Sequence, residues 1–348
     1  MRPDRPVFVI GCPRSGTTML QLMLHAHPRV AVPPETRFLL RAYYGRRAYG
    51  DMRQAANRRR LAEWVAGDQA TRFGELGVDP EAYVRRVAEG PGSLGSVLGE
   101  AFRSYAGRFG KPRWGDKRPA YFQHVEVLLR LFPDAQFVHL VRDGRDCVAS
   151  LKEMPWYTLD VHHAIATWAE AVDHGRRHAG RLPAGTYHEL RYEDLTADPE
   201  RELNRLCAFL REEYDPAMCE PRRIAPAAVP ARKVWHGNTH REVTPARVGS
   251  WQIRLEPWEI ALCEEVLGER LQEHGYELSG ASPALPRHLL AYRRTAARRR
   301  LAQSRQRARD WVDRLHEPGP LAAMLTSGQL ALAQVPAPRS SSAQLVDR

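Results

Sequence analysis

Residues 7–24 read VFVIGCPRSGTTMLQLML. Val7 to Ile10 is a short apolar run with the length of a buried strand, and Gly11 ends it. From Thr17 the pattern changes. Met19, Leu20, Leu22, Met23 and Leu24, with Gln21 and His25 between, fit a helix packed on a sheet. Thr17 and Thr18 can cap or begin that helix. The loop Gly11-Cys12-Pro13-Arg14-Ser15-Gly16 therefore joins a strand to a helix N-terminus. Backbone N–H groups and the positive end of the helix dipole meet there and favour an anion. Gly11, Gly16 and Thr18 satisfy the P-loop pattern G-x-x-x-x-G-K-[ST], but Thr17 stands where its lysine would be. Arg14 lies inside the loop, and its planar fork suits a tetrahedral oxyanion. The alternative is a plain strand–turn–helix with a chance glycine spacing.

A second stretch of the same kind is FVHLVRDGRDCVAS, residues 137–150. A strand leads to Arg142, a glycine turn follows, and a helix carries Ser150 two turns on. Arg142 and Ser150 could grip one phosphate from two directions. The competing reading is a surface network of Asp143, Arg145 and Asp146.

The chain has 348 residues, enough for one large domain or two small ones, and 43% apolar residues, enough for a core. No run of 18 apolar residues occurs and no signal peptide precedes Val7, so a soluble, cytoplasmic protein is expected. Cys12, Cys147, Cys207, Cys219 and Cys263 are odd in number, scattered, and without metal-ligand spacing, which suits a reducing compartment and no metal. The net charge of +11 is unevenly placed. Between Arg287 and Arg314, ten arginines face only Asp310 and Asp313, whereas the first 280 residues hold 40 basic against 37 acidic residues. The body is near neutral, and no nucleic-acid partner is expected.

Strands at Val7–Ile10, Gln136–Val141 and Thr186–Leu190 alternate with helices at Tyr121–Phe132, Cys147–Met154, Asp160–His178, Pro199–Leu210 and Pro257–His274. This order predicts an α/β fold with a central parallel sheet. Residues 38–109 read as helices, including Ala55–Ala66, Pro80–Ala88 and Leu94–Phe109, and are expected to form a lid or insert. Residues 114–119 read as a loop, and 211–250 as irregular. The expected organisation is a domain over 1–280, an Arg-rich helical extension over 281–317 and a flexible tail over 318–348. Ala297, Leu301, Ser304, Ala308, Trp311 and Leu315 place one weakly apolar stripe on the extension. That stripe could dock on the body, pair in a homodimer or lie on an anionic surface.

Taken in order, these motifs resemble those of the sulfotransferases that use 3′-phosphoadenosine 5′-phosphosulfate (PAPS), over roughly residues 7–278. Pro13-Arg14-Ser15-Gly16-Thr17-Thr18 resembles the family's 5′-phosphosulfate loop, and Arg142 with Ser150 its 3′-phosphate pair. Gly115-Asp116-Lys117-Arg118-Pro119 resembles its G-D-K-x-P loop. Arg191-Tyr192-Glu193-Asp194-Leu195 resembles its R-Y-E-D-L segment, whose tyrosine lies near the adenine. Val248-Gly249-Ser250-Trp251 resembles the late G-x-W segment, although Thr244-Pro245-Ala246-Arg247 departs from the pattern that precedes it and leaves Arg247 as a substitute contact.

The resemblance implies a P-loop-type fold, PAPS as donor, PAP (3′-phosphoadenosine 5′-phosphate) as product, and a hydroxyl-bearing acceptor. It also accounts for the missing lysine, because a phosphosulfate carries less charge than a triphosphate and needs no Mg²⁺ bridge. His27-Pro28 and Pro33-Pro34-Glu35-Thr36-Arg37 resemble the H-P…E-T-R of tyrosylprotein sulfotransferases and bacterial relatives. That branch implies Glu35 as the base, Lys117 as the stabiliser of the transferring oxygens, and Arg37 and Arg41 as acceptor contacts. Its tyrosylprotein members carry a membrane anchor and secretory disulfides, so a small molecule, glycan or lipid is the expected acceptor here. A P-loop phosphotransferase or NTPase, and a non-catalytic nucleotide binder, are the alternatives.

Overall fold

The computed structural model describes residues 5–223 and 244–323. Strand β1 (Val7–Gly11) is buried along its whole length. It alternates as a strand must: Phe8 and Ile10 enter the core on one side of the sheet, and Val7 and Val9 the core on the other. The Phe8 ring meets Trp114, Tyr121, Phe132 and Phe137, all between 5.6 and 6.0 Å centroid to centroid. Burial on both faces is what lets an all-apolar run serve as a central parallel strand.

From β1 the chain enters α1 (Thr17–Ala26) and the two-residue strand β2 (Val30–Ala31). Four helices follow as an insert: α2 (Phe38–Gly45), α3 (Ala55–Gly67), α4 (Pro80–Glu89) and α5 (Leu94–Gly107). Then come β3 (Arg113–Lys117), α6 (Val125–Leu131), β4 (Gln136–Val141), α7 (Gly144–Lys152) and α8 (Val161–Arg181). β5 (Tyr187–Arg191), α9 (Tyr192–Ala197), α10 (Pro199–Leu210), α11 (Pro257–Glu273) and α12 (Pro286–Arg314) complete the described chain. The five strands form one parallel sheet in the order β2-β3-β1-β4-β5. The chain runs outward from β1 in both directions, so the loops after β1 and β4 open side by side at the strand C-terminal ends. A doubly wound sheet binds its ligand at that position.

The expected α/β class with a parallel sheet and a helical insert is what the structure has. Two local readings differ. Residues 114–119, read as a loop, mostly belong to β3, which lies between β1 and β2. Its sequence, RWGDK, has no apolar alternation because its charged side chains are buried and satisfied individually. The helix expected over Tyr121–Phe132 is broken: a 3₁₀ turn spans Pro119–Gln123, and α6 begins only at Val125. Tyr121 in that turn donates to Asp116 Oδ2 at 2.7 Å, which ties the turn to β3.

The Arg-rich extension lies on the body. Tyr43 donates to Asp310 at 2.8 Å, Arg299 pairs with Glu170 at 2.7 Å, and Arg46 pairs with Glu317 at 3.0 Å. The first residues of the stretch expected to be a free tail are held as well. Leu94 N–H donates to the Pro320 carbonyl at 3.0 Å, Gly95 N–H to Leu321 at 2.7 Å, and Ala323 N–H to Leu131 at 2.7 Å. Residues 324–348 of that tail, and 224–243 of the irregular segment, lie outside the described residues.

Candidate active site

The loop after β1 is shaped by backbone that few residues adopt. Gly11 has φ 152°, Arg14 φ 74° and Gly16 φ 98°. Gly16 is the N-cap of α1 and makes no side-chain cap, so Thr17 and Thr18 begin the helix rather than cap it. A Cβ on Gly16 would stand 2.5 Å from the Tyr192 ring, and one on Gly11 2.5 Å from the Leu140 carbonyl. Both positions therefore require glycine twice over, for conformation and for space. The result is a tight turn that aims the first N–H groups of α1 outward, where no intrahelical carbonyl meets them. Ser15 is fully buried in this turn, and its Oγ has no hydrogen-bond partner among the described residues.

The register Gly11↔Leu140 between β1 and β4 sets Arg14, three residues past one strand, beside Arg142, two residues past the matching rung. Arg14 Nε donates to Ser150 Oγ at 3.0 Å, and Arg142 Nη1 donates to the Arg14 carbonyl at 3.3 Å. Arg14, Arg142 and Ser150 thus form one cluster, with Arg14 joining the two expected phosphate motifs. The Arg142 guanidinium also lies 4.4 Å from the centroid of the Tyr192 ring and donates to the Arg247 carbonyl at 2.5 Å. Burial, and then the charge of Arg142, push the Arg14 pKa down. Two guanidiniums held this close favour an anion between or beside them.

The Arg–Asp network that competed with this reading is present too, but buried rather than on the surface. Arg145 pairs with Asp143 at 2.8 Å and with Glu264 at 2.7 Å. Asp146 reaches the late segment, accepting from Gly249 N–H at 3.0 Å, Ser250 Oγ at 2.9 Å and Trp251 N–H at 2.8 Å. The network brings the late segment, and with it the Arg247 carbonyl, to Arg142. Asp146 was read from sequence only as a member of that surface network, because a carboxylate serving buried backbone N–H groups looks like any other in an R-D-G-R-D run.

The second half of the site lies across β1. β2 and β3 pair at Ala31↔Trp114, so Glu35, four residues further, and Lys117, three residues further, arrive at the same place. Lys117 Nζ is 3.1 Å from Glu35 Oε1 and 3.3 Å from Thr18 Oγ1. Its side chain is only 3% exposed, whereas that of Glu35 is 25% exposed, so the carboxylate faces outward and the ammonium is enclosed. The Pro33-Pro34 turn is fixed by Gln21, which donates to the Pro33 carbonyl at 2.7 Å. Asp116 accepts from Lys117 N–H at 2.9 Å, and burial raises its pKa to about 6.

Arg37 is exposed at the start of α2, with its N–H bonded to the Thr71 carbonyl. Burial, then the nearby charges of Arg72 and Arg118, lower its pKa. Arg41 pairs loosely with Asp68 at 3.7 Å. Arg37, Arg72 and Arg118 therefore make the ground beside Glu35 basic. Arg72 was missed from sequence because it reaches this place only through the left-handed turn at φ 61° that follows α3. Three buried histidines serve the scaffold: His25 Nδ1 accepts from Val32 N–H, His27 Nδ1 from Arg29 N–H, and His139 contacts Tyr187.

The comparisons with known proteins bear on the family and the fold. A sequence model described as "Sulfotransferase family" matches residues 6–216. The chain is 25% identical over 236 residues to a protein-tyrosine sulfotransferase of Drosophila melanogaster, covering 66% of this chain and 42% of that protein. It is 29% identical over 238 residues to nodulation protein NoeE of Sinorhizobium fredii, covering 60% of this chain and 50% of that protein. The chain thus spans about half the length of such curated relatives. Among solved structures, the sulfotransferase domain of the Synechococcus PCC 7002 olefin synthase matches with a TM-score of 0.54 at 22% identity, over 80% of this chain and 96% of that one. The sulfotransferase domain from the curacin biosynthetic pathway matches with a TM-score of 0.53 at 20% identity, over 80% of this chain and 100% of that one. The matched span takes in the loop after β1, the Glu35–Lys117 pair and the Arg142–Ser150 cluster, and the chain belongs to the sulfotransferase family.

Proposed function

We propose that this chain transfers a sulfuryl group from PAPS to a hydroxyl of a small molecule, glycan or lipid. The observation that carries this reading is the Glu35–Lys117 pair, 3.1 Å apart, set on Thr18 at the mouth of the anion loop. A carboxylate that accepts a proton and an ammonium that steadies developing negative charge are the two groups an in-line sulfuryl transfer needs.

Arg14, Ser15, Gly16, Thr17 and Thr18 would hold the 5′-phosphosulfate through N–H groups, hydroxyls and one guanidinium. The partnerless Ser15 Oγ supports that fit. Arg142 and Ser150 would take the 3′-phosphate, with Tyr192 packed beneath Arg142 on the adenosine side. The acceptor oxygen forms its bond to sulfur as the bond from sulfur to the phosphate oxygen breaks. The electron pair leaves with PAP, and the acceptor proton passes to Glu35. Lys117 balances charge on the bridging and sulfuryl oxygens. Arg37 and Arg41 would contact the acceptor. The neutral charge of the paired Glu35–Lys117 unit supports a hydroxyl acceptor, which enters without charge and must lose a proton.

The test is a mass-spectrometric screen for the gain of one SO₃ on host metabolites, lipids and glycans, run with PAPS in EDTA. Labelled products that depend on PAPS are expected. Turnover only with ATP and Mg²⁺ would favour the phosphotransferase reading, and tight PAP binding without any labelled product the non-catalytic one.

A donor-side prediction separates the phosphate sites. Arg142→Ala should weaken PAP binding by about 1.5–3 kcal/mol, the range for a hydrogen bond to a charged group. Adenosine 5′-phosphosulfate, which lacks the 3′-phosphate, should lose far less. Calorimetry showing equal losses for both ligands would remove Arg142 from the 3′-phosphate site.

A further inference from the structure

Helix α12 is 29 residues long, about 43 Å, and its two sides differ in kind. The inner side is committed to the body. Thr295 and Asp310 are buried, Asp310 accepts from Tyr43, Arg299 pairs with Glu170, and His288 stacks on Trp258 with centroids 4.0 Å apart. Asp313, the helix's other carboxylate, pairs inward with Arg47 at 3.3 Å.

The outer side carries Leu290, Leu301, Trp311, Val312 and Leu315, each between 47% and 64% exposed. At 100° per residue these five, with Ala297 and Ala308, fall within an arc of about 100°, opposite the inner contacts. Arg294, Arg298, Arg305 and Arg309 border the arc on one side, and Arg293, Arg300 and Arg307 on the other. None of these seven arginines has a carboxylate partner among the described residues, because both acids of the helix face inward. No helix among the described residues is long and apolar enough to cross a membrane.

We propose that the outer face of α12 lies on an anionic lipid surface and holds this enzyme against the membrane. Charge complementarity selects that occupant. An apolar stripe along the middle suits the acyl boundary, and arginines along both borders can extend their stems over it while their guanidiniums reach lipid phosphates. A second copy packed about a two-fold axis would set this face against itself, arginine against arginine. A nucleic-acid phosphate backbone would leave Trp311 and the leucines facing a polar ligand.

The experiment is co-sedimentation of the full chain with vesicles of phosphatidylcholine containing 30% phosphatidylglycerol, and with pure phosphatidylcholine, at physiological salt. Binding to the anionic vesicles alone is expected, with a blue shift of Trp311 fluorescence that Trp311→Phe abolishes. Leu301→Gln with Trp311→Gln, and separately Arg294→Glu with Arg298→Glu and Arg305→Glu, should each lower the partition coefficient at least about tenfold. Unchanged PAP affinity in both variants would show that the fold is intact. Failure of the wild-type chain to bind anionic vesicles overturns the proposal, as does equal binding to both vesicle types. So does loss of a dimer, in place of loss of vesicle binding, on Leu301→Gln with Trp311→Gln.

Discussion

Glu35→Gln should bind PAP within about threefold of wild type while sulfuryl transfer falls at least about a hundredfold. The substitution keeps the shape of the side chain and one acceptor oxygen for Lys117, 3.1 Å away in the native pair. What it removes is the proton acceptor, and general-base help is worth roughly 10²–10⁴ in rate. It also removes the counter-charge of a lysine that is almost fully enclosed. That change favours any anion beside Lys117, so donor affinity should hold or rise within the threefold allowance. Lys117→Ala provides the contrast: it should lower both turnover and donor affinity, since the ammonium acts on ground state and transition state alike. Stopped-point assays with labelled PAPS and calorimetry with PAP read the two effects separately. Normal turnover by Glu35→Gln would place the base elsewhere. His25, His27 and His139 would be poor replacements, since all three are buried and each bonds the scaffold through Nδ1.

The two strand–loop–helix stretches proposed to hold the donor's anions were legible from sequence because their signal is local. In each a strand, a glycine and a helix start follow one another within a few residues, with an arginine and one or more hydroxyls in the same stretch, and in the first Gly11 and Gly16 have positive φ. The meeting of the two loops was legible only as a resemblance, because it depends on β1 and β4 being neighbours in register. Glu35 and Lys117, 82 positions apart, meet through the pairing of β2 with β3, two strands that no periodicity marks. β2 is two residues long, and β3 carries Arg113, Asp116 and Lys117 inward where a hydrophobic pattern would be sought. The side of α12 that docks was hidden for a related reason. Beyond Leu289 and Tyr292 near its start, its inner contacts are made by polar residues such as Arg299 and Asp310, which give no apolar stripe, while the visible stripe faces outward.

Burial of charge in β3 has a measurable consequence at Arg113. Its Nε donates to the Arg5 carbonyl at 2.6 Å, and its Nη1 to the Leu210 carbonyl at 2.8 Å and to Glu212 at 3.2 Å. Its Nη2 donates to Gln136 Oε1 at the start of β4. One guanidinium thus joins the N-terminal segment, β3, β4 and the end of α10. Both Arg113 and Glu212 have side chains only 1% exposed. Arg113→Ala takes away one of the donors of the buried Glu212 and the guanidinium that serves the Arg5 and Leu210 carbonyls and Gln136 Oε1, and removing one partner of a buried pair costs about 3–5 kcal/mol. Urea unfolding should show a loss of that size, larger than that expected for truncating an exposed side chain. Arg29, which bonds Glu212 at 2.9 Å, limits the damage but is itself a third exposed. Arg113→Met with Glu212→Leu should recover much of the loss, because the buried carboxylate is removed together with its buried guanidinium partner. The same single variant should also lose turnover, since Lys117 lies four residues along the strand that Arg113 anchors. A stability loss under about 1 kcal/mol for Arg113→Ala would mean that the other partners of Glu212, Arg29 among them, satisfy it. Register of β3, and with it the placement of Lys117 against Glu35, would then rest on the Val7↔Gly115 and Val30↔Arg113 pairings of the backbone.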